Sequence, residues 1–360
     1  MAASSSSSRG GLLTTAGAEP VTISVVVCSR DGAADLRRCL SALERQTGVS
    51  GPLELVVVDD GSKDRTSEVA HAHGATVIRH ERSRGLAAAR NSGLRASTGP
   101  VVAFLDDDCE PAEDWAAHIL DAYDAAALGV GGPIEPSHDG GRLGGFIVRN
   151  NPLRPLEAEL DRSENWVYRL WLYLRRQWQP VPATGRRRTY GLVGANMSFR
   201  RSALEAVGGF DEAFSFGADD LELCRRVAAA LPDGHLIFDE RPRVAHHFKA
   251  TLRDVLRRSR GYGLGSARLY RHRGRPKPTL FPLPIVLAVV LAAARRRPVL
   301  WALAVLLPQL WSPRAAVHAV RHRDASALTD PYVQVLQETA GDAGVLEGLW
   351  RFRDGRGSSA

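Results

Sequence analysis

Three acidic clusters hold most of the chemistry legible in this chain. Asp59-Asp60 follows Val56-Val57-Val58, Asp106-Asp107-Asp108 follows Phe104-Leu105, and Asp219-Asp220 sits in the run Gly217 to Arg226. The first two end short apolar segments that read as strands, which puts carboxylates at the carboxyl edge of a sheet, where open α/β folds bind ligands. Carboxylates are costly to gather unless a cation shares them, and the usual partner of an Asp-x-Asp pair is a divalent metal. Mg²⁺ or Mn²⁺ held by one or two carboxylates completes its octahedron with water and phosphate oxygens, so a metal here implies a phosphorylated substrate. Asp is also a common turn and helix-cap residue, and that simpler role accounts for either strand-end cluster taken alone. Two together favour a site. Asp219-Asp220 opens a predicted helix, where capping suffices, yet a carboxylate there can also face a cleft as a general base.

From Thr22 onward, apolar β-branched runs alternate with helical patterns, the signature of a parallel sheet built from βαβ units. Ile23 to Cys28, Leu53 to Val58, Thr76 to Arg79 and Val101 to Leu105 read as strands. Leu36, Leu40 and Leu43 mark an amphipathic helix, and Arg65 to His73, Leu86 to Arg95 and Ala112 to Ala126 read as further helices. The pattern breaks at the Gly-rich and Pro-rich stretch Gly129 to Gly145. A helix rich in aromatics and arginine, Glu164 to Trp178, fits either an acceptor-binding wall, an interfacial face or a lid on the core. The sheet resumes at Leu192 to Phe199, with helices at Arg201 to Val207 and Asp219 to Ala230 and a strand at Arg243 to Ala245.

At 360 residues, 44% hydrophobic and 24% charged, the chain is ordinary for a globular protein with one large domain and an appendage. Its net charge of +7 comes almost wholly from arginine, the only lysines being Lys63, Lys249 and Lys277. Cys28, Cys39, Cys109 and Cys224 have no C-x-x-C spacing, so neither a zinc framework nor a disulfide scaffold is indicated and a reducing cytoplasm fits. Residues 1–20 are Ser-rich and Gly-rich and read as a disordered tail.

Beyond Arg241 the character changes. Arg241 to Arg297 holds fifteen Lys or Arg and one acid, Asp254. Within and after it lie two uncharged runs, Pro278 to Ala294 and Val299 to Pro313, separated by Arg295-Arg296-Arg297-Pro298. A spanning helix needs about 20 apolar residues, and each run is shorter and interrupted by proline. Two short apolar helices flanked by arginine suit an interfacial or re-entrant hairpin drawn to anionic lipid, the alternative being that both pack on the catalytic unit. The arginines flank apolar helices rather than a recognition motif, which argues against nucleic acid.

The ordered motifs, taken together, resemble a family 2 glycosyltransferase with the GT-A fold, from about Ile23 to about His247. They are Val25 to Asp31 with its helix ending Gln46-Thr47, Val58-Asp59-Asp60-Gly61-Ser62-x-Asp64-x-Thr66, and Gly85-x-Ala87-x-Ala89-Arg90-Asn91-x-Gly93. Phe104 to Asp108, Gly208-Gly209-Phe210-Asp211-Glu212 and Asp219-Asp220-x-Glu222-Leu223-Cys224-x-Arg226 complete the set. The resemblance implies an α/β fold with a Rossmann-like, mostly parallel sheet flanked by helices, and beyond it the basic and apolar runs read as a helical, membrane-associating appendage. Together they divide the chain into a 21–250 catalytic domain, a basic amphipathic linker helix at 251–277, a short hydrophobic helical pair at 278–313 and a helical tail at 314–360.

The resemblance further implies roles. Asp60 would meet the nucleotide base, with Cys28 and Ser29 in the same pocket and Arg30, Arg84 and Arg90 also on the donor nucleotide. Asp106 would lie near the ribose and Asp108 on the metal, the pair forming the Asp-x-Asp motif, with His246 or His247 as a further ligand. Asp220, adjoined by Asp219, would be the catalytic base. The implied reaction is inverting transfer of one sugar from a UDP-, GDP- or dTDP-sugar to an acceptor hydroxyl, with Mg²⁺ or Mn²⁺. A lipid-linked acceptor and a peripheral or monotopic place at the inner face of the cell membrane follow from the C-terminal region.

Some residues depart from the family pattern. Asp219 shortens the usual Glu-Asp pair, Ser83 replaces a common Asn, Arg30-Asp31 stands where Tyr-Asn is frequent, and no Gln-x-x-Arg-Trp follows Asp220, which argues against processive synthesis. Two competing readings are a sugar-phosphate nucleotidylyltransferase, which would carry a Gly-rich loop where Cys28 to Ala33 has one glycine, and a membrane-docked sugar-binding protein with a degenerate site.

Overall fold

The computed structural model describes residues 23–138, 140–151, 165–178, 185–214, 217–274 and 277–353. The tail expected at 1–20 lies outside them. β1 (Ser24–Ser29) is buried on both faces: Val25 and Val27 join Leu36, Leu40, Leu43, Trp115 and Ile119 in one core, while Val26 joins Val56, Val58, Phe104 and Phe199 in the other. A strand covered on both sides has no reason to alternate polar residues, hence its unbroken apolar run.

α1 (Ala33–Glu44) buries Leu36, Leu40 and Leu43 along one stripe, and β2 (Glu54–Asp59), α2 (Thr66–Ala72), β3 (Thr76–Arg79), α3 (Leu86–Ala96) and β4 (Val101–Asp106) complete the first half. β1 pairs in parallel with β2 on one side and β4 on the other, and β2 pairs in parallel with β3. The chain therefore reverses direction of growth between β1 and β4, and the crevice beyond their carboxyl ends is where such sheets take ligands. Gly93 lets α3 lie against β1, since a Cβ there would overlap Val26.

β5 (Cys109–Pro111), α4 (Trp115–Asp121), β6 (Ala127–Gly131), β7 (Ile134–Ser137), α5 (Gly141–Arg149), α6 (Trp166–Trp178), β8 (Arg187–Thr189), β9 (Asn196–Arg200), α7 (Arg201–Val207), α8 (Asp219–Ala230), β10 (His235–Phe238) and β11 (Val244–His247) follow. The main sheet has the order β3-β2-β1-β4-β9-β6-β10-β8, and a second sheet has β5-β11-β7.

Three local expectations change. β9 runs antiparallel between β4 and β6, so the sheet is mixed beyond β4. The Gly-rich stretch hides β6 and β7: a Cβ on Gly129 would come within 2.8 Å of the Ser198 carbonyl, so glycine there permits close strand packing rather than marking a loop. His246 and His247 lie within β11, not after it, because that strand extends to pair with β5 and β7.

The C-terminal region is helical: α9 (Leu252–Arg273), α10 (Pro282–Ala294), α11 (Leu300–Trp311), α12 (Pro313–His322), a 3₁₀ turn (Ala325–Thr329) and α13 (Asp330–Arg351). α9 starts at Thr251, whose hydroxyl accepts from the Asp254 amide at 3.1 Å. α9 and α13 pack backbone to backbone through small residues, since a Cβ on Gly263 would overlap the Gly341 carbonyl and one on Gly344 the Arg260 carbonyl. The buried Glu222 of α8 accepts from Arg226 at 2.7 Å and from Arg273 at the end of α9 at 2.5 Å. Arg149 of α5 reaches Asp330 at 2.7 Å and Asp324 at 2.8 Å, so α9 and α13 are both tied to the sheet domain. α6 turns Leu172 inward, donates from the Tyr173 hydroxyl to Glu338 at 3.0 Å, and leaves Trp166, Trp171 and Trp178 exposed.

Candidate active site

The carboxyl ends of β1, β2 and β4 bring the first two acidic clusters to one edge. The two members of each pair do different work. Asp59 is fully buried and caps its own turn, accepting from the Ser62 amide at 2.8 Å and from Arg79 at 2.5 Å. Asp60 accepts four hydrogen bonds from its own chain: His80 Nδ1 at 2.7 Å, the Arg84 amide at 2.8 Å, Ser83 Oγ at 2.6 Å and the Gly85 amide at 3.0 Å. Against the opposing effect of burial, these bonds hold its pKa below the ordinary value. Asp60 therefore anchors the 83–85 segment at the cleft wall, and Ser83, a departure from the family pattern, is one of its donors.

Asp106, Asp107 and Asp108 diverge. Cys28 lies opposite Asp106 in the β1–β4 register. Asp106 Oδ1 accepts from Arg90 Nη2 at 3.1 Å. Asp107 accepts from Ser29 Oγ and lies against Gly32, where a Cβ would overlap its carboxylate. Burial, then the neighbouring Asp106, pushes Asp107 up to about 7 against the Ser29 bond. Asp108 is pushed up to about 8 by burial and then by Asp106 and Asp107.

β11 carries His246 to Asp108. The His247 amide donates to the Asp108 carbonyl at 2.8 Å, and His246 Nε2 stands 3.3 Å from Asp108 Oδ1. Burial pushes His246 down to about 4, so its imidazole is neutral at ordinary pH. Among the described residues, Asp108 Oδ1 and His246 Nδ1 are buried without hydrogen-bond partners, and Asp108, Cys109 and His246 offer ligand atoms within 4.8 Å of one another. An orphaned carboxylate oxygen beside a neutral imidazole, among crowded acids, fits a divalent cation. Asp106 lies outside that trio, and His247 turns to Glu110 at 3.2 Å.

The third cluster closes the other side. Asp219 and Asp220 begin α8 after Ala218, whose φ of 62° is unusual for a residue with a side chain. Asp219 is buried and accepts from Arg90 Nη1 at 2.6 Å. Asp220 is partly exposed, its oxygens accepting from the Gly194 and Leu221 amides, each at 2.8 Å. Burial, then Asp219, pushes Asp220 up to about 6, with Arg90 opposing.

The expected donor arginines separate. Arg90 is buried and bonds Asp106, Asp219 and, at 3.0 Å, the Gly194 carbonyl. Burial works against its charge, but Asp219 and Asp106 raise its pKa above the ordinary value. Arg84 is exposed and reaches Glu212 at 3.5 Å, while Arg30 is exposed with Asp31 at 4.0 Å. The adjoining Asn91 clamps the Gly209-Phe210 turn, donating to the Phe210 carbonyl at 2.9 Å and accepting from its amide at 2.8 Å. Sequence reasoning did not single out Cys109, beside Asp108 and His246, or Arg258 and Tyr262 of α9, which approach Asp108 and the Gly217 turn. The last two were read only as part of a basic segment, although Val255, Arg258 and Tyr262 recur at helical spacing on α9.

The glycosyl transferase family 2 model matches residues 24–208, and glycosyl transferase family group 2 matches residues 163–312. The pre-mycofactocin glycosyltransferase of Mycobacterium tuberculosis is 29% identical over 276 residues, 75% of this chain and 52% of that protein. The glucosyl-dolichyl phosphate glucuronosyltransferase of Haloferax volcanii is 29% identical over 197 residues, 52% of this chain and 56% of that protein. The chain thus spans about half the length of these curated relatives. Among solved structures, a mannosyltransferase from Pyrobaculum calidifontis in complex with GDP-Man and Mn²⁺ aligns over 92% of this chain and 88% of that one, with a TM-score of 0.54 at 20% identity. That likeness gives the α/β sheet domain the GT-A fold. With the family 2 model matched over more than half its residues, the chain belongs to glycosyl transferase family 2.

Proposed function

We propose that this protein moves a single sugar from a nucleotide-diphosphate sugar to an acceptor hydroxyl with inversion at the anomeric carbon. The observation that carries the reading is Arg90, which holds Asp106 on one side and Asp219 on the other and so joins the donor edge to the start of α8. Asp220, one residue on, is partly exposed, and burial and then Asp219 push its pKa up to about 6, closer to the working range of a general base. It takes the acceptor proton, the freed oxygen attacks the anomeric carbon, and the carbon–oxygen bond to the nucleoside diphosphate breaks on the opposite face. Asp108 and His246 would hold Mg²⁺ or Mn²⁺, with Asp106 as the other member of the Asp-x-Asp pair. The ion, when bound, would offset charge on the departing diphosphate. Asp60 shapes the base pocket by holding residues 83–85, while Cys28, Ser29 and Arg30 end the strand beside it.

Family membership favours transfer over the nucleotidylyltransferase reading, and the intact Asp220 site favours an enzyme over a degenerate binding protein. A thermal-shift panel of UDP-, GDP- and dTDP-sugars, with and without Mn²⁺, tests this. Stabilisation by one donor class that requires the metal supports the reading, and a flat response to all of them refutes it.

The second half of the proposal places the protein peripherally on an anionic membrane face, with a lipid-linked acceptor. Among the described residues, no helix is long and apolar enough to cross a membrane. α10 and α11 instead expose Ile285, Val289, Trp301, Val305, Leu306 and Leu310 as a short hairpin, with exposed Arg295, Arg296 and Arg297 at its turn. Apolar surface of that extent beside clustered arginine is complementary to lipid headgroups and acyl chains.

A further inference from the structure

Arg258 brings a cation to the Asp108 side of the acidic cleft. It sits on α9, and its guanidinium carbon lies 4.4 Å from the centroid of the Phe248 ring. Phe248 in turn stacks on His246, with centroids 4.0 Å apart and planes 16° from parallel. The layered guanidinium, phenyl and imidazole fix Arg258 relative to the His246–Asp108 pair. Among the described residues Arg258 makes no hydrogen bond and no ion pair, so its N–H donors lack an acceptor there.

The neighbouring acid does not supply one, because Asp254 is held by Arg257 at 2.7 Å and by the Thr251 hydroxyl at 2.6 Å. The groups facing Arg258 electrostatically are Tyr262, Asp254, Asp108 and Arg257, with burial the largest influence and one that disfavours its charge. One turn along, Tyr262 reaches the turn at Gly217, its ring carbon 3.9 Å from where a Cβ would stand, just ahead of Asp219-Asp220. Arg258 and Tyr262 also line a small cleft of mixed polarity, with Phe146, Ile147 and Val255 on one hand and Asn150, Ser259 and Gln337 on the other.

A half-buried guanidinium without an acceptor gains strongly from a bidentate anion, and phosphate matches its fork. We infer that Arg258 binds a phosphate group of the substrates beside Asp108. The inference rests on the proposed sugar transfer, and the phosphate has two possible sources: the donor's diphosphate, or a phosphate on a lipid-linked acceptor.

Calorimetric titration of the full chain distinguishes them. In Mn²⁺, the wild type is titrated with UDP and GDP, with UMP and GMP as comparators, and separately with micellar polyprenyl phosphate against the corresponding polyprenol. If the donor is the source, Arg258→Gln weakens the preferred diphosphate by roughly 10- to 100-fold and the monophosphates much less. If the acceptor is the source, diphosphate affinity stays unchanged and polyprenyl phosphate loses its advantage over polyprenol. Arg258→Lys, which retains the charge without the fork, gives an intermediate loss and serves if the glutamine variant does not fold. Wild-type affinity of the folded variants for diphosphate and polyprenyl phosphate alike overturns the role of Arg258. Failure of the wild type itself to bind any nucleotide would instead count against the sugar-transfer reading, and the polyprenyl phosphate comparison would still decide Arg258.

Discussion

Arg90 Nη1 donates to Asp219 Oδ2 at 2.6 Å, and both side chains are about 4% exposed, which makes this buried pair the joint between the carboxyl end of β4 and α8. With Asp106 and the Gly194 carbonyl as its further partners, Arg90 holds three groups of the site in place at once. Removing it leaves a buried carboxylate without its counter-charge, an arrangement that costs about 3–5 kcal/mol. Arg90→Ala is therefore expected to lower stability by that amount in urea unfolding. Arg90→Lys should recover part of the stability but less of the transfer rate, since one ammonium cannot span Asp106, Asp219 and the carbonyl together.

The acid limb of the pH–rate profile should report Asp220. Its pKa, raised to about 6, means that the proton is held below that pH and lost above it, so kcat/KM rises with pH through about 6 and then levels. The sign for stability is opposite. A carboxyl whose folded pKa exceeds its unfolded value contributes most below the unfolded pKa, and that contribution is lost as pH rises through about 6. A rate profile lacking a limb between pH 5 and 7, in buffers of constant ionic strength, would separate Asp220 from the proton transfer.

Metal affinity should follow Asp108 and His246. His246→Ala is expected to weaken Mn²⁺ binding by more than the roughly 10- to 100-fold that loss of an outer-shell partner costs. Cys109→Ser should have a smaller effect, because burial holds the thiol protonated well above its ordinary range. Manganese titration by electron paramagnetic resonance reads both directly, and equal affinity in the wild type and His246→Ala would remove the histidine from the ligand set.

Much of the sheet's carboxyl edge was legible because β1, β2 and β4 are buried on both faces and end in polar residues, a pattern that locates strand ends. α8 was equally legible, since Asp219-Asp220 precedes Leu223, Cys224 and Val227 at helical spacing. β6 was hidden by the glycines that let it approach β9, and the antiparallel insertion of β9 leaves no local trace. The partition of the aspartates was also beyond the sequence. Asp60 and Asp59 differ only in which neighbours fold back onto them, and the burial of Arg90 depends on a contact 129 residues away in sequence. The C-terminal helices read as basic and apolar, but the glycine contacts that dock α13 on α9 appear only when both helices are in place.

That docking is itself testable. Gly263→Val drives a side chain into the backbone of α13, and overpacking at such a contact costs about 1–3 kcal/mol or more. The expected result is a lower melting temperature with faster amide hydrogen exchange in both α9 and α13. Unchanged exchange in α13 would show that the helices do not depend on each other.

Membrane attachment should depend on Arg295, Arg296 and Arg297. Each arginine near an anionic surface contributes about 1 kcal/mol, screened by salt. Replacing all three with Glu should abolish co-sedimentation with vesicles containing phosphatidylglycerol while leaving soluble nucleotide binding intact. Equal partitioning of the wild type to zwitterionic vesicles at high salt would show that the arginines play no part.

The most direct test of the proposed mechanism is single-turnover transfer by Asp220→Asn, alongside calorimetric binding of the preferred nucleotide sugar in Mn²⁺. The expected result is loss of transfer by several orders of magnitude with donor affinity within a few-fold of wild type. Near-wild-type turnover in that variant would contradict the assignment of Asp220 as the base.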